Sequence, residues 1–315
     1  MTPVLEVDDV SVHFPTEHGS IRAVDGMSFH VDAGETLALV GESGSGKSTL
    51  ARAILGLHAP TSGRMRFRGE PLEPLGRPSR KQLFQKIQMI FQDPDASLNP
   101  RLTIGASIAE ALELGRSTGA ERGDRTATLM QEVGLAPELS SRYPHELSGG
   151  QKQRVCIARA LAGKPDLVVC DEAVSALDVS IQAQILNLLV ELREKFALSY
   201  LFITHDLRVV RFVSHRVAVL YLGQIVEVGE TNSVFEEPLH PYTRALLSAV
   251  PSLGPDVRRR PAAVRGEIPS PIRPPSGCRF HTRCPEAFDR CPREAPRLYS
   301  IGKGRESRCF LVDQA

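Results

Sequence analysis

The sequence of 315 residues contains no apolar run of the ~20 residues that a membrane-spanning helix needs. It also lacks a positively charged start followed by an apolar stretch, so its N-terminus does not resemble a secretory signal. Both absences predict a cytosolic chain, whose only link to a membrane would run through partner proteins.

A strong charge of either sign is absent as well. The 38 Lys and Arg residues nearly balance the 37 Asp and Glu residues, which leaves a net charge of +1. This balance argues against a surface wholly dedicated to nucleic acid or to an anionic membrane, although local patches remain possible. The length suffices for two domains, one of them large enough for a full α/β core.

Cysteine is scarce in the body of the chain. Cys156 and Cys170 lie in apolar surroundings, where we expect small buried hydrophobic side chains. The other four are clustered near the C-terminus: Cys278, Cys284, Cys291 and Cys309. In a reducing compartment, clustered thiols favour a metal site over a disulfide framework.

The most informative stretch is residues 41–49, which lie between an apolar run at 36–40 and a helix-like segment at 50–55. Its glycines let successive backbone N–H groups face inward, and the helix that follows presents its positive N-terminus. A lysine and a hydroxyl in this context reach the β- and γ-phosphates and Mg²⁺. The predicted phosphate-binding residues are Gly41, Ser43, Gly44, Ser45, Gly46, Lys47, Ser48 and Thr49.

Two carboxylates follow a continuous apolar run at residues 167–170, which is typical of a parallel strand covered on both faces. A nucleoside triphosphatase needs one carboxylate near Mg²⁺ and one group that orients or deprotonates the attacking water. We expect Asp171 to serve the first purpose and Glu172 the second. A second buried strand, at 200–204, ends at His205.

A helical insertion is predicted at residues 95–147, where apolar residues recur with the period of a helix. Residues 147–151, Leu-Ser-Gly-Gly-Gln, then place small residues at the exposed start of the next helix.

Taken in order, these motifs resemble those of the ATPase subunits of ABC transporters. The resemblance rests on residues 41–49, Gln92, residues 147–151, residues 171–178 and His205. It implies an α/β fold at residues 1–237, with a RecA-like parallel sheet, an antiparallel β subdomain and a helical subdomain at about 95–150. A small irregular cysteine-containing module would follow at residues 238–315.

The resemblance also implies individual roles. Phe14 matches the aromatic residue that stacks on adenine, with a phenylalanine of the core as the alternative. Gln92 matches the glutamine that senses Mg²⁺ and the attacking water, Glu172 the catalytic base, and His205 the histidine that holds the γ-phosphate. The implied Mg²⁺ ligands are Ser48, Gln92 and Asp171.

A second site half is implied by the signature at residues 148–151. Ser148, Gly149, Gly150 and Gln151 resemble the residues that bind the γ-phosphate of ATP held by the opposite subunit, and Asp178 would lie at the same interface. Because the chain has one copy of each motif, two ATPase subunits must sandwich ATP. Their closing and parting would drive transmembrane subunits between inward-open and outward-open states.

Finer features resemble the ATPases of peptide permeases, namely residues 90–101, 143–146 and 240–243. In that group two different ATPases pair at the cytoplasmic face of the membrane, with two integral-membrane permeases and an extracytoplasmic binding protein. The Asn-Pro-Arg run at 99–101 and the glutamine that ends the signature are more similar to the second, F-type, member. No nucleic acid partner is expected.

Two alternatives remain open. The cargo could be nickel, an opine, glutathione or a sugar, because the permease and the binding protein choose it. A soluble ABC ATPase that acts on DNA or ribosomes is a different class, and the single ATPase core and the lack of a long coiled-coil insert argue against it.

The C-terminal cysteines fall in a segment that resembles the domain appended to peptide-permease ATPases. Five, six and seventeen residues separate them, which matches neither a C-x-x-C zinc finger nor a bacterial ferredoxin. Four thiolates suit an iron–sulfur cluster or tetrahedral zinc. The resemblance favours a [4Fe-4S] cluster on Cys278, Cys284, Cys291 and Cys309, with zinc or unmetallated thiols as alternatives. His281 is a possible substitute ligand, and a plain loop residue is the simpler interpretation.

Overall fold

The computed structural model describes residues 3–72, 85–113, 119–249, 266–302 and 304–313. Its backbone contacts divide the chain into two compact units. The first unit comprises Met1–Val4, Val31–Glu35 and Glu73–Phe202, and the second comprises Leu5–His30, Thr36–Leu72 and Ile203–Ala315. Residues 114–118 of the predicted helical subdomain and residues 250–265 of the predicted C-terminal module lie outside the described ranges, and the domain boundary at 237 stays a prediction.

Both strands and helices occur along the described part of the chain. The strands are β1 (Leu5–Thr16), β2 (Gly19–Val31), β3 (Thr36–Val40), β4 (Ser62–Phe67), β5 (Glu70–Pro71), β6 (Ile87–Ile90), β7 (Leu167–Asp171), β8 (Ser199–Thr204), β9 (Arg216–Tyr221), β10 (Gln224–Glu230), β11 (Tyr299–Gly302) and β12 (Arg305–Ser307). The helices are α1 (Lys47–Ile54), α2 (Pro94–Ser97), α3 (Ile104–Glu113), α4 (Gly119–Glu132), α5 (Gly149–Ala162), α6 (Val179–Phe196), α7 (Leu207–Val213), α8 (Thr231–Glu236) and α9 (Pro241–Ser248). Short 3-10 turns cover Pro137–Ser141 and Pro144–Glu146.

In the first unit, β7 runs parallel to β6 and lies between β6 and β8. The β7 residues before Asp171 are all buried, as the continuous apolar run predicts for a strand covered on both faces. Helices α2 to α5 and the 3-10 turns occupy most of the region for which we predicted a helical subdomain.

The longest helix of the described residues is α6, with 18 residues. It is amphipathic, because Ile185, Leu189 and Leu192 are buried while acidic and basic residues share its other face. None of the described helices combines the length and the apolar character that are required to cross a bilayer.

The second unit contains an antiparallel sheet with the strand order β2-β1-β4-β5. Leu5 lies opposite Phe67 and Val7 opposite Met65, and all four side chains are buried. These buried pairs belong to an antiparallel sheet, as the resemblance implies for the β subdomain. The register shifts between Asp8 and Ser11, where a bulge bends the strand.

The same unit contains a second group of strands in the order β11-β12-β10-β9-β3. Strand β3 is parallel to β9, while β9, β10, β12 and β11 pair antiparallel. The C-terminal strand β12 thus covers the free edge of β10, with Glu227 opposite Ser307. Residues that the sequence assigns to a separate module therefore extend the sheet that contains β3 and β9.

An aromatic cluster joins these parts of the second unit. The rings of Tyr221 and Tyr242 lie 4.7 Å apart, and the ring of Phe280 lies 5.2 Å from Tyr221 and 5.4 Å from Tyr242. All three side chains are almost fully buried. Aromatic pairs at such distances stabilise a core by roughly 0.5–1.5 kcal/mol beyond their burial.

Candidate nucleotide-binding site

The loop at residues 41–49 connects β3 to α1 and encloses its own lysine. The Lys47 ammonium donates hydrogen bonds to the carbonyls of Gly41 at 2.7 Å and Glu42 at 2.9 Å, and to the Ser45 hydroxyl at 3.2 Å. Lys47 is only 6% exposed. The loop therefore curls around a buried positive charge, which is the arrangement that a triphosphate requires.

Two glycines of this loop are required by close approach of neighbouring backbone. Gly46 has a φ of 102°, and a Cβ there would lie 2.0 Å from the carbonyl oxygen of Ala23. A Cβ at Gly41 would lie 2.3 Å from the carbonyl oxygen of Leu220. The loop is thus packed against β2 and against the end of β9, so a side chain at either position would displace it.

The start of α1 presents hydroxyl groups at the positive end of a helix. Ser43 and Gly44 are exposed at the crest of the loop, while Ser48 and Thr49 are half-buried in the first helical turn. That turn contains no acidic residue to compensate the helix dipole. An anion at this end of α1 would be stabilised by the dipole and by Lys47.

The second unit also holds two predicted contacts of the nucleotide. Phe14 is half-buried near the end of β1, with its ring edge-on to His58 at a centroid distance of 5.3 Å. His205 is exposed directly after β8. Asp206 next to it caps α7 and accepts hydrogen bonds from Arg208, which hold the pKa of Asp206 below its usual range.

The predicted catalytic carboxylates lie in the first unit, at the end of β7. Asp171 is the last residue of the strand, and Glu172 adopts a φ of 49°. This left-handed conformation is uncommon for a residue with a side chain, and such residues cluster at active sites. Ser175 stabilises the turn by donating two hydrogen bonds of 3.0 Å to the Glu172 carbonyl, one from its backbone and one from its hydroxyl.

The signature residues form the N-terminal cap of α5. The Ser148 hydroxyl accepts a hydrogen bond of 3.3 Å from the Gln151 backbone, and the Gln151 side chain accepts one of 2.9 Å from the Ser148 backbone. This reciprocal pair is a capping box. In this pair the Ser148 hydroxyl acts as an acceptor. Ser148 and Gly149 are exposed, so the start of α5 is accessible to an anion.

Small side chains at the signature admit the neighbouring helix α6. A Cβ at Gly150 would lie 2.6 Å from Ile181, whereas one at Gly149 would meet Leu177 at an ordinary 3.6 Å. Asp178 is exposed at the N-cap of α6. The structure therefore groups the signature and Asp178 on one side of the first unit.

Gln92 is exposed in the same unit, immediately after β6 and before the capping residue Asp93 of α2. Phe91 beside it is 47% exposed.

The comparisons with known proteins agree with this geometry. The sequence model of the family described as ABC transporter matches residues 24–175, and the one described as oligopeptide/dipeptide transporter, C-terminal region, matches residues 226–291. A probable peptide ABC transporter ATP-binding protein of Sinorhizobium fredii is 49% identical, over 98% of this chain and 90% of its own.

The chain belongs to the ABC transporter ATPases.

Further relatives and solved structures extend the comparison. A di/tripeptide transport ATP-binding protein of Pseudomonas aeruginosa, DppF, is 46% identical over 100% of this chain and 99% of its own. A putative oligopeptide transport ATP-binding protein of Bacillus subtilis is 46% identical over 99% and 97%. The ATPase CbiO1 of Clostridium perfringens, part of an ABC transporter complex, has a TM-score of 0.68 at 29% identity, covering 75% of this chain and 92% of its own. The dimeric cassette MJ0796 with ADP and phosphate has a TM-score of 0.66 at 29% identity, over 72% and 98%.

The C-terminal part of this ABC ATPase gathers its four cysteines around one small cavity. Cys278, Cys284, Cys291 and Cys309 all line it, together with aromatic rings. The backbone N–H of Cys278 donates to the carbonyl of Cys291 at 2.8 Å, and Gly277 permits this approach with a φ of 65°. The four cysteines of this region thus share one cavity.

The arrangement of these thiols as ligands is not confirmed. Within the described ranges, no three or more His, Cys, Asp or Glu side chains are placed as a metal-binding group. Burial raises the pKa of Cys284 to about 11 and that of Cys309 to about 12, so both are thiols at neutral pH. The His281 Nδ1–H donates a hydrogen bond of 2.7 Å to the Cys278 carbonyl, which suits the interpretation as a loop residue. The iron–sulfur cluster stays a prediction.

The two other cysteines of the ABC ATPase behave as predicted. Cys156 and Cys170 are buried, and burial raises the pKa of both thiols. They are small core side chains rather than reactive groups.

Three residues near the phosphate-binding loop escaped the sequence-based predictions. The Tyr242 hydroxyl accepts a hydrogen bond of 3.0 Å from the backbone of Glu42, inside the loop. Arg283 donates a hydrogen bond to the Glu42 carboxylate. Arg279 donates one to the backbone carbonyl of Leu222. Tyr242 lies in the run at 240–243, which indicates a family resemblance but assigns no role to the tyrosine. Arg279 and Arg283 are marked in the sequence only by their position next to cysteines.

Proposed function

We propose that the chain is the ATP-hydrolysing subunit of an importer of di- and oligopeptides. The observation that carries this proposal is similarity over nearly the whole chain to proteins named for peptide transport, including the C-terminal region. The likeness to a DppF protein supports assignment to the F-type member of a pair. The chain would act at the cytoplasmic face of the membrane.

We propose that ATP is bound jointly by two ATPase subunits. The loop at 41–49 of one subunit would hold the phosphates, with Phe14 on the adenine. The exposed capping box at Ser148 and Gln151, together with Gly149, Gly150 and Asp178, would complete the site of the opposite subunit. The exposed hydroxyl of Ser148 and the positive end of α5 suit the γ-phosphate. Two permease subunits and an extracytoplasmic binding protein would complete the assembly.

We assign the hydrolytic roles as the motifs imply. Glu172 would take a proton from the attacking water, and its left-handed backbone fixes where the side chain leaves the strand. His205 and Gln92 would orient the γ-phosphate and the water. Mg²⁺ would neutralise charge on the phosphate oxygens. The Ser48 hydroxyl, the Asp171 carboxylate and the Gln92 amide are oxygen donors of the kind that this ion prefers.

The four C-terminal thiols fit a four-cysteine metal site by donor type and by their shared cavity. We propose that they hold a [4Fe-4S] cluster. Iron and sulfide analysis with a visible absorption band in anaerobically purified protein would support this. Stoichiometric zinc without iron would favour the tetrahedral alternative, and the absence of both metals would contradict a metal site.

The deciding experiment for the ATPase role is Glu172→Gln in the full chain. We expect ATP binding within about threefold of the wild type and turnover reduced by roughly 10²–10⁴-fold, because general base catalysis typically contributes that factor. Glu194→Gln is the matched control, since Glu194 is a 71% exposed glutamate of the same unit. Undiminished hydrolysis by Glu172→Gln would remove Glu172 from its role.

The transport role is tested separately by purification from membranes. Co-purification with integral-membrane subunits, together with peptide-stimulated hydrolysis in the reconstituted assembly, supports the proposal. Stimulation by nucleic acid, without any membrane subunit, would replace it with the soluble class.

A further inference from the structure

The segment at residues 278–284 carries an arginine next to the cysteine at each of its ends. Cys278 and Cys284 line the thiol cavity, while Arg279 and Arg283 extend to other parts of the second unit. Both arginines are buried, with 8% and 7% of their surface exposed. A buried guanidinium is costly unless it is paired, so their partners indicate what these residues are for.

Arg283 binds the phosphate-binding loop directly. Its two terminal nitrogens donate to the two carboxylate oxygens of Glu42 at 2.8 Å and 3.2 Å, which is a bidentate pair. The guanidinium also lies 5.7 Å from the centre of the Tyr221 ring. The hydrogen bonds to the Glu42 carboxylate raise the pKa of Arg283, so the guanidinium stays charged.

Three groups of Glu42, namely its carboxylate, its N–H and its carbonyl, are hydrogen-bonded to other residues. Its carboxylate is bound by Arg283, its N–H donates to the Tyr242 hydroxyl at 3.0 Å, and its carbonyl accepts from Lys47 at 2.9 Å. Two of these three partners lie beyond the ABC transporter match at residues 24–175. The position of the loop backbone therefore depends on residues near the C-terminus.

Arg279 supports the other side of the loop. Its terminal nitrogens donate to the carbonyl of Leu222 and to the carboxylate of Asp25. Gly223, next to Leu222, donates from its backbone to the carbonyl of Ser45 at 3.1 Å and accepts from the backbone of Asp25 at 2.8 Å. Arg279 thus fixes the turn against which the loop is packed.

We propose that Arg279 and Arg283 are positioning residues, through which the cysteine-containing module holds the phosphate-binding loop in the conformation that binds ATP. Neither residue needs to touch the nucleotide. Arg283 acts through Glu42, and Arg279 acts through the turn at Leu222 and Gly223. The inference concerns the ATPase and does not depend on the cargo or on the content of the thiol cavity.

Glu42→Gln is a test in which simple electrostatics and loop positioning predict opposite changes in the affinity for ATP. This variant removes a negative charge beside a site for a polyanion, so simple electrostatics predicts tighter ATP binding. Our proposal predicts weaker binding, because the bidentate pair that holds the loop is lost. We expect the Kd of the full chain for a fluorescent ATP analogue to rise roughly five- to tenfold, within the range of couplings between distinct sites.

Arg283→Ala should raise the same Kd by a similar factor, with kcat at saturating ATP within about threefold of the wild type. The double variant Glu42→Gln with Arg283→Ala should bind no more weakly than Arg283→Ala alone, because both changes remove one interaction. Arg293→Gln is the matched control. It removes an exposed arginine of the same module and should leave the Kd unchanged.

Thermal unfolding of each variant separates a local effect from loss of the fold. If Arg283→Ala does not fold, Glu42→Gln still decides, because Glu42 is half-buried and on the loop itself. Unchanged or tighter ATP binding by Glu42→Gln, or additive losses in the double variant, would overturn the proposal. Loss of hydrolysis in Glu172→Gln tests the ATPase assignment independently.

Discussion

Tyr242→Phe removes one oxygen atom from the support of the phosphate-binding loop. The hydroxyl accepts the Glu42 N–H at 3.0 Å, and burial raises the pKa of Tyr242, so the group is a neutral hydroxyl. Phenylalanine keeps the ring contacts with Tyr221 and Phe280. The substitution therefore isolates the hydrogen bond from the packing.

The expected loss of stability depends on whether the Glu42 N–H finds another hydrogen-bond partner once the Tyr242 hydroxyl is removed. A buried donor without a partner costs about 1–3 kcal/mol. Glu42 is half-buried, so water replaces part of the bond and the low end applies. We expect the free energy of unfolding to fall by about 1 kcal/mol, which corresponds to a Tm about 2–4 °C lower for a unit of this size.

The same loss should appear in ATP binding. A loop that occupies its binding conformation less often binds ATP more weakly by the same fraction. About 1 kcal/mol corresponds to roughly a fivefold higher Kd. The assays are calorimetric unfolding and titration with a fluorescent ATP analogue, both on the full chain.

Tyr200→Phe provides the matched control. Its buried hydroxyl donates at 3.0 Å to the carbonyl of Leu189 in α6, which is not a residue of the phosphate-binding loop. We expect a similar loss of stability with unchanged ATP affinity. If Tyr242→Phe behaves in the same way, or if neither quantity changes, the hydroxyl does not position the loop and the reasoning fails.

Three further predictions concern the same unit. Gly46→Ala should abolish ATP binding, because its Cβ would lie 2.0 Å from the Ala23 carbonyl oxygen. Gly44→Ala has open space around its Cβ and should cost only about 1–2 kcal/mol of left-handed backbone strain. Equal Kd values for ATP in the two variants would contradict the predicted clash at Gly46. Lys47→Ala should raise the Kd for ATP more than tenfold, because it removes the buried ammonium of the loop. An unchanged Kd would contradict the assignment of Lys47 to phosphate binding. Burial lowers the pKa of His240 to about 3, so the folded protein holds this imidazole neutral. The free energy of unfolding is therefore highest above about pH 6.5, where the unfolded chain is neutral at this position too. Below that pH it falls by about 1.4 kcal/mol per pH unit, until the pH reaches about 3. Urea unfolding between pH 5 and 6.5 should show a slope that His240→Gln flattens, and the same slope in both proteins would exclude His240 as its source.

Local motifs made much of this protein predictable from its sequence. The loop at 41–49, the strand ending at Asp171 and the cap at residues 148–151 each lie within one short stretch, so their geometry follows from neighbouring residues. The capping box was also readable, because serine and glutamine three residues apart at a helix start form that pair. The φ of Glu172 was not, since nothing in its neighbours requires it.

Contacts between distant residues were not predictable. Glu42 and Arg283 are 241 residues apart, and Asp25 and Arg279 are 254 apart. No periodicity or spacing connects such pairs, and an arginine beside a cysteine is equally typical of a solvated surface. The clustering of four cysteines near the C-terminus was visible in the sequence, while the orientation of their thiols depends on packing around Phe280 and its neighbours.

The separation between Asp25 and Arg279 has a consequence for biosynthesis. A ribosome releases the strands and the loop of the nucleotide site long before it releases the two arginines that hold them. Domains fold in N-terminal order during synthesis. A chain that is arrested or cut before residue 279 therefore has every ATPase motif but lacks the two arginines that support the loop. We expect such truncated products to bind ATP more weakly and to compete less well with the complete subunit for its place in the assembly.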